Sequence, residues 1–108
     1  MIAPQELRLG NKVLRNGIIV TVDNQTFWDV EKYPDQYEPI ELNEDWLLKF
    51  GFHKVQYSFW INGLAVHNNT PFEFYILYEQ NRTYIKYVHQ LQNLYFALTG
   101  EELKIKES

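Results

Sequence analysis

The stretch HKVQYSFWINGLAVHNN, residues 53–69, indicates an antiparallel β-hairpin that turns at Asn62-Gly63. An Asn-Gly pair between two apolar runs favours a two-residue turn, because both central residues of that turn need a positive φ. The first run alternates between apolar and polar residues, which predicts one buried face and one exposed face. Trp60 falls on the predicted exposed face. The predicted buried face carries Val55, Tyr57, Phe59 and Ile61.

A second Asn-Gly pair, Asn16-Gly17, predicts another hairpin near the start of the chain, with strands at residues 12–15 and 18–22. Asp23-Asn24-Gln25 then predicts a turn into a third strand at residues 26–31, where side chains of alternating character follow one another. The glycine and valine spacing of this segment is similar to that of small SH3-like barrels. We therefore expect a three-stranded meander with a barrel-like curl.

The segment PIELNEDWLLKFGF, residues 39–52, predicts a helix of two turns between Asn43 and Gly51. Asn43 is suited to cap the first turn, and Gly51 is suited to the left-handed position that closes the last one. Leu42 and Leu47 have the spacing of a hydrophobic staple. A helix this short is not stable alone, so we expect it to pack on a sheet.

The runs FEFYILYE and RTYIKYV, residues 72–79 and 82–88, predict a further strand pair that turns at Gln80-Asn81. With the hairpin at Asn62-Gly63 they make a four-stranded antiparallel meander, in which residues 72–79 form a central strand or one covered on both faces. VHQLQNLYFALTG, residues 88–100, predicts a C-terminal helix packed on one sheet face, and residues 101–108 are expected to fray. The predicted fold class is α+β. The stripe that faces the core carries Val88, Leu91, Leu94, Tyr95 and Leu98.

Length and composition restrict the class of protein. A chain of 108 residues with 45% hydrophobic and 17% aromatic residues predicts one folded domain, residues 1–108. It has no cysteine, no basic leader with an apolar core, and no apolar run of about 18 residues. We therefore expect a cytoplasmic protein with no membrane partner.

Charge is unevenly distributed along the sequence. The formal net charge is −4, which argues against a general nucleic-acid binder. Residues 23–45 hold eight acidic residues and one basic residue, whereas the remainder has a formal charge of +3. Either the acidic segment is a solvated loop, or the acidic protein also carries a cationic face.

Residues suited to catalysis are few. The two serines, Ser58 and Ser108, lie outside any strand-to-helix elbow, and His53, His67 and His89 have no metal-binding spacing. We therefore predict that the protein is not an enzyme and has no catalytic, cofactor-binding or metal-binding residues. The alternative is a small hydrolase in which His53 or His67 meets a carboxylate.

A binding surface is the functional feature that the sequence favours. Four residues cluster on a helical wheel opposite the core stripe, and Trp60 and Tyr84 are aromatic residues on strand faces that are not clearly apolar. Aromatic side chains with polar neighbours are typical of protein interfaces. We predict a protein partner or a second copy of the chain, and no small-molecule ligand. The predicted surface consists of Trp60, Tyr84, His89, Gln92, Asn93 and Phe96.

Two alternatives remain for that surface. Phe96 could be core, covered by the acidic loop that carries Tyr33 and Tyr37, and Trp60 could pack under a neighbouring loop. The surface could also bind single-stranded nucleic acid, with Tyr84 or Trp60 stacking on bases. The basic residues available to line such a site are Arg8, Lys12, Arg15, Lys54, Arg82 and Lys86.

Three blocks of sequence resemble a known group of proteins: ELRLGNKV (residues 6–13), PIELNEDWLLKFGF (residues 39–52) and YVHQLQNLYFALTGEEL (residues 87–103). They resemble small uncharacterised proteins carried by Bacteroides-type phages, prophages and related mobile elements. The resemblance implies a phage or mobile-element setting. It implies nothing about catalysis.

Overall fold

The computed structural model describes residues 4–70, 73–78 and 80–105, and these form an α+β fold with two antiparallel sheets. The chain divides into two compact units. Unit 1 comprises Met1–Glu41 and Tyr87–Leu103, and unit 2 comprises Leu42–Lys86 and Lys104–Ser108. The single domain expected from the sequence stays a prediction. Within the described ranges, no helix combines the length and apolarity that crossing a membrane requires.

The predicted Asn16-Gly17 hairpin is confirmed in unit 1. Strands β1 (Lys12–Arg15) and β2 (Ile18–Thr21) pair antiparallel, and both turn residues have positive φ, 49° at Asn16 and 81° at Gly17. The third strand, β3 (Tyr37–Glu38), pairs with the other side of β1, so the strand order is β2-β1-β3. The expected SH3-like curl of this sheet stays a prediction.

The strand predicted at residues 26–31 is wrong, because this segment belongs to helix α1 (Asn24–Lys32). Asp23 caps the helix: its Oδ1 accepts from the Thr26 backbone N–H at 2.9 Å, and Thr26 Oγ1 accepts from the Asp23 N–H at 3.1 Å. Thr26 and Val30 are buried one turn apart, whereas Trp28 is largely exposed. The capping box and the helical spacing of the buried residues outweigh the alternation that suggested a strand.

Helix α3 (Val88–Thr99) belongs to unit 1, where it contacts β1, and it ends at Gly100 with φ 77° as predicted. Val88, Leu91 and Tyr95 of the predicted stripe are buried, but Leu98 is exposed. The main hydrophobic cluster of the unit consists of Leu7, Val13, Val22, Val30 and Tyr37.

The expected fraying of the tail is wrong at Leu103, whose side chain is buried. Arg8 also binds Glu102 at 2.6 Å. Residues 106–108 lie outside the described residues.

In unit 2 the predicted short helix is confirmed as α2 (Glu44–Lys49). Asn43 Oδ1 accepts from the Trp46 N–H at 3.0 Å. At the other end, the Phe52 N–H donates to the Leu47 carbonyl at 3.1 Å and the Gly51 N–H donates to the Leu48 carbonyl at 3.0 Å. This is the Schellman closure that Gly51, with φ 95°, makes possible.

Unit 2 contains a five-stranded antiparallel sheet rather than the four strands predicted, with the strands in chain order. The predicted first strand is split, because Gln56 adopts φ 55° and turns the chain between β4 and β5. The buried face carries Phe59, Val66, Phe74, Ile76 and Ile85. The strands are β4 (His53–Val55), β5 (Ser58–Ile61), β6 (Leu64–Thr70), β7 (Glu73–Tyr78) and β8 (Asn81–Ile85).

Two further predictions for this sheet can be compared with the strand pairing. Tyr78 pairs with Asn81, so Asn81 belongs to β8 and not to the predicted turn at Gln80-Asn81. Strand β7 lies between β6 and β8, as expected of an internal strand. Its second face is not fully covered, because Leu77 is exposed.

Candidate functional site

The sheet of unit 2 gathers aromatic side chains on the face opposite its buried residues. Cross-strand pairing aligns Ser58, His67, Tyr75 and Tyr84 in one row. In the neighbouring row Trp60 pairs with Ala65 and Leu77 pairs with Arg82. We call this surface the aromatic face and define it by Ser58, Trp60, Ala65, His67, Tyr75, Leu77, Arg82 and Tyr84.

Three large apolar residues of the aromatic face are substantially exposed: Trp60 at 43%, Leu77 at 53% and Tyr84 at 55%. Ala65 and Leu77 lie two positions along their strands from the paired residues His67 and Tyr75, so all four side chains are on the same face of the sheet. The structure places two of the predicted surface residues, Trp60 and Tyr84, on this face.

The rings in the first row contact one another. The ring centres of His67 and Tyr75 are 5.3 Å apart, and those of Tyr75 and Tyr84 are 5.6 Å apart. The Arg82 guanidinium carbon lies 4.8 Å from the centre of the Tyr75 ring. These are the distances of favourable aromatic and cation–π contacts, so the row is a pre-ordered surface rather than a set of independent side chains.

Ser58 and His67 form the one feature of the aromatic face that resembles a catalytic pair. Ser58 Oγ and His67 Nδ1 are 2.9 Å apart, at directly opposed positions of β5 and β6. A nucleophilic serine needs a base that a third group orients, and no carboxylate among the described residues binds His67. His53 pairs with Trp60 across β4 and β5 and is exposed. We interpret the Ser58–His67 contact as a cross-strand hydrogen bond that orders this row.

The predicted surface on α3 is corrected at His89 and Gln92, which are each only 1% exposed. Gln92 satisfies three backbone groups of unit 1: its Oε1 accepts from the Lys12 N–H at 2.8 Å, and its Nε2 donates to the Gly10 carbonyl at 3.0 Å and to the Leu103 carbonyl at 3.4 Å. Such a side chain fixes the position of α3 against neighbouring chain segments. It offers no contact surface.

Asn93 is half-buried and joins the same network. Its Oδ1 accepts from Asn11 Nδ2 at 2.9 Å, and its Nδ2 donates to the Glu6 carbonyl at 2.8 Å. The Asn11 Oδ1 accepts in turn from the Arg8 N–H at 2.7 Å. The amides that the sequence suggested for partner binding therefore hold the N-terminal segment and α3 together.

Phe96 is neither a fully buried core residue nor a fully exposed surface residue, the two alternatives considered from the sequence. Its side chain is 37% exposed, and the Arg8 guanidinium covers one face of the ring. Tyr37, of the acidic loop expected to cover Phe96, is instead part of the main hydrophobic cluster of unit 1.

His89 is a buried titratable group. Its ring stacks on Tyr87 with ring centres 5.8 Å apart, and neither ring nitrogen has a hydrogen-bond partner among the described residues. Burial lowers the pKa of His89, and the nearby Glu6 carboxylate only partly opposes that effect. The imidazole is therefore neutral at physiological pH.

A concave region lies in unit 1, beside β2 and α1. It is an open cleft with a volume of about 430 Å³. Within it Asp29 Oδ2 accepts from the Tyr37 hydroxyl at 2.7 Å and pairs with Arg15 at 3.1 Å. Burial, followed by the hydrogen bond to Asp29, raises the pKa of Tyr37 to about 12. The lining residues are Arg15, Val20, Thr21, Asp23, Gln25, Thr26, Asp29 and Tyr37.

Sequence reasoning missed His67 and Arg82 as members of the aromatic face, together with the cleft in unit 1. The two-residue turn at Asn62-Gly63 could have placed His67, because a closing pair Ile61–Leu64 fixes Ser58 opposite His67. The sequence does not indicate the cleft, because Thr26 and Asp29 lie on a helix where a strand is predicted, and no short-range pattern pairs Tyr37 with β1.

Comparison with known proteins gives no significant match: no family model, no curated protein and no solved structure is similar to this chain. In the part of the chain that the structure describes, no three His, Cys, Asp or Glu side chains form a group able to hold a metal ion.

Proposed function

We propose that this protein is a non-catalytic binding module whose partner is another protein, and that the aromatic face is the surface that the partner contacts. The observation that carries the proposal is the grouping of exposed Trp60, Leu77 and Tyr84 on one side of one sheet. Single exposed apolar residues are normal in monomers, whereas a group on one face is typical of an interaction site.

The chemistry of the aromatic face favours a protein over other partners. Trp, Tyr and Arg are enriched among the few residues that contribute most to binding in protein interfaces, and all three are present here. Leu77 and Ala65 add aliphatic surface that offers no ring on which a base could stack. Full burial of one such large side chain contributes about 1.5–3 kcal/mol, so the exposed group is sufficient for a specific contact.

The formal charge of unit 2 is consistent with an interface dominated by apolar contact. The sequence ranges of this unit contain six basic and five acidic residues, a formal charge of +1. A near-neutral unit neither attracts nor repels a typical protein surface strongly at physiological ionic strength. We accordingly expect only a weak dependence of partner binding on salt.

The test is a comparison of three forms of the protein as bait in lysate of a phage-carrying Bacteroides-type host, the setting that the sequence resemblance implies. The forms are the wild type, the double variant Trp60→Ser/Leu77→Ser and the control Trp28→Ser, which removes an exposed tryptophan from unit 1. A protein retained by the wild type and the control is then purified, and its affinity is measured calorimetrically. We expect the double variant to bind it at least about tenfold more weakly, the result of losing about 1.4 kcal/mol. Equal affinity for the wild type and the double variant would reject the aromatic face as the site.

A second candidate function, binding of single-stranded nucleic acid, is favoured by one specific observation. The His67, Tyr75 and Tyr84 rings form a row across neighbouring strands, with Arg82 over the middle ring. Proteins that bind single strands stack bases on rings displayed in this way.

Fluorescence anisotropy with labelled oligo-dT and oligo-U distinguishes the two functions. Nucleic-acid binding requires an affinity that falls steeply between about 50 and 200 mM salt, together with weaker binding by Tyr84→Ala. If neither probe binds at low salt, this candidate is excluded, and the proposed protein partner is unaffected.

A further inference from the structure

Strand β2 forms an edge of the sheet in unit 1 and contains neither a charged residue nor a proline, two features that commonly protect edge strands. Its sequence, Ile18-Ile19-Val20-Thr21, contains only β-branched residues, with no charge and no proline. Ile18 is 68% exposed and Ile19 is 49% exposed. Among the described residues β2 pairs only with β1. Uncharged, exposed edges of this kind are templates for pairing with another strand.

The hydrogen bonds of the hairpin determine which backbone groups of β2 point away from β1. The Val22 N–H donates to the Asn11 carbonyl at 2.8 Å, on the β1 side of the hairpin. Hydrogen-bonded and non-hydrogen-bonded residues alternate along an antiparallel strand. The backbone N–H and C=O groups of Val20 and Ile18 therefore also point towards β1. Ile19 and Thr21 therefore direct their N–H and C=O groups outwards.

We propose that two copies of this chain associate by pairing β2 with β2 in an antiparallel arrangement, around a twofold axis at Val20. In this register Ile19 faces the partner's Thr21, and Thr21 faces the partner's Ile19. Each of these pairs exchanges N–H···O=C bonds in both directions, so every outward backbone group of both residues is satisfied. The two β2 strands join the three-stranded sheets of the two copies into one continuous sheet.

The occupant is a second copy because the edge is complementary to itself. A twofold interface requires that each residue contact a residue with which it is compatible, and it requires the reverse contact as well. The opposed pairs are Ile with Thr and Val with Val, which are favourable β-branched combinations. No charged side chain of β2 meets its own copy across the axis, so like-charge repulsion within the strand pair is absent.

Single-cysteine variants test the register directly, since the chain has no natural cysteine. In Val20→Cys the two cysteines lie opposite each other at a non-bonded position, where Cα atoms are about 4.5 Å apart, within the range that a disulfide spans. In the matched control Thr21→Cys the cysteines are offset by two positions, roughly 7 Å along the strands, and cannot be bridged. Under mild oxidation we expect a covalent dimer from Val20→Cys and a monomer from Thr21→Cys. Equal cross-linking of both variants, or none of Val20→Cys, contradicts the proposed pairing.

Solution mass gives an independent test that does not need the cysteine variants. Wild-type mass should rise with concentration from 13.0 kDa towards twice that value. Ile19→Pro removes one outward N–H, at an edge position that tolerates proline, and should remain monomeric. Ile19→Thr keeps that N–H and should still associate. A wild type that stays monomeric at the highest soluble concentration, or an Ile19→Pro variant that dimerises as the wild type does, would overturn the proposal.

Discussion

The guanidinium carbon of Arg8 lies 3.7 Å from the centre of the Phe96 ring, and the same guanidinium group binds Glu102 at 2.6 Å. One side chain thus connects α3 to the segment that follows it. The Phe96 ring is therefore not free on the helix surface. Its contact with Arg8 gives this aromatic side chain a role within the fold, next to the amide side chains of Gln92 and Asn93.

Replacing Phe96 with alanine should therefore lower stability. Cation–π contacts at exposed sites contribute about 0.5–1 kcal/mol, and burial of part of the ring adds a similar amount. We expect the free energy of unfolding to fall by about 1–2 kcal/mol and the thermal midpoint to fall by several degrees. Leu98→Ala, at a position of similar exposure on the same helix, is the control: it loses partial burial but no cation–π contact, so it should lower the free energy of unfolding by less than Phe96→Ala does. If the thermal midpoint of Phe96→Ala equals that of the wild type, the ring does not stabilise the fold and is again a candidate contact for a partner.

Gln92→Leu should be more damaging although the two side chains are similar in size. The substitution leaves the Lys12 N–H and the Gly10 carbonyl without their partner in a buried environment. An unsatisfied buried group costs about 1–3 kcal/mol, so we expect a loss of about 2–4 kcal/mol in denaturant unfolding. Amide hydrogen exchange at Lys12 should accelerate more than exchange at Leu14. Uniform acceleration along β1 would indicate global destabilisation instead of a lost local bond.

The local chemistry of α2 shows what the sequence can predict about this fold. Asn43, Gly51 and the residues between them form capping contacts within one short segment, and these were predictable because every partner is near in sequence. The two Asn-Gly hairpins are confirmed for the same reason.

The predictions for helix α1 and for the amides of α3 are wrong for two different reasons. Residues 26–31 fit both a strand and a helix, and the Asp23–Thr26 capping box decides between them. Gln92 and Asn93 resemble surface residues because a helical wheel contains no information about distant backbone groups. Their partners, Gly10, Lys12 and Glu6, lie 80 or more positions away.

His89 should make stability depend on acidic pH. Its pKa is lowered in the folded protein, chiefly by burial, whereas the unfolded chain titrates near the ordinary value of about 6.5. Below that pH the unfolded state binds a proton that the folded state resists, so stability is fully present above about pH 6.5 and is lost as pH falls. The loss attributable to this residue approaches about 1.4 kcal/mol per pH unit.

The measurement is denaturant unfolding of the wild type and His89→Phe between pH 8 and pH 5. We expect the variant to lose less stability than the wild type over that interval. His53→Gln removes an exposed histidine and should follow the wild-type curve. Parallel curves for the wild type and His89→Phe would show that the folded protein binds a proton at His89 as readily as the unfolded chain does.

Tyr37 should have the converse effect at alkaline pH. Burial and the hydrogen bond to Asp29 raise the pKa of Tyr37 to about 12, from an ordinary value of about 10. Above pH 10 the unfolded chain releases this proton first, so the contribution is present below pH 10 and is lost as pH rises towards 12. The full difference corresponds to about 2–3 kcal/mol.

Tyr37→Phe separates this titration from the rest of the chain. The variant lacks the hydrogen bond to Asp29 and should be about 1 kcal/mol less stable than the wild type at pH 7. Between pH 10 and pH 12 it should lose less stability than the wild type, since no buried phenol remains to ionise. Tyr33→Phe, which removes an exposed phenol of the same unit, should lose as much as the wild type does. If the difference in alkaline absorbance between the wild type and Tyr37→Phe shows that the Tyr37 phenol ionises near the ordinary pKa of about 10, its contact with Asp29 does not persist in solution.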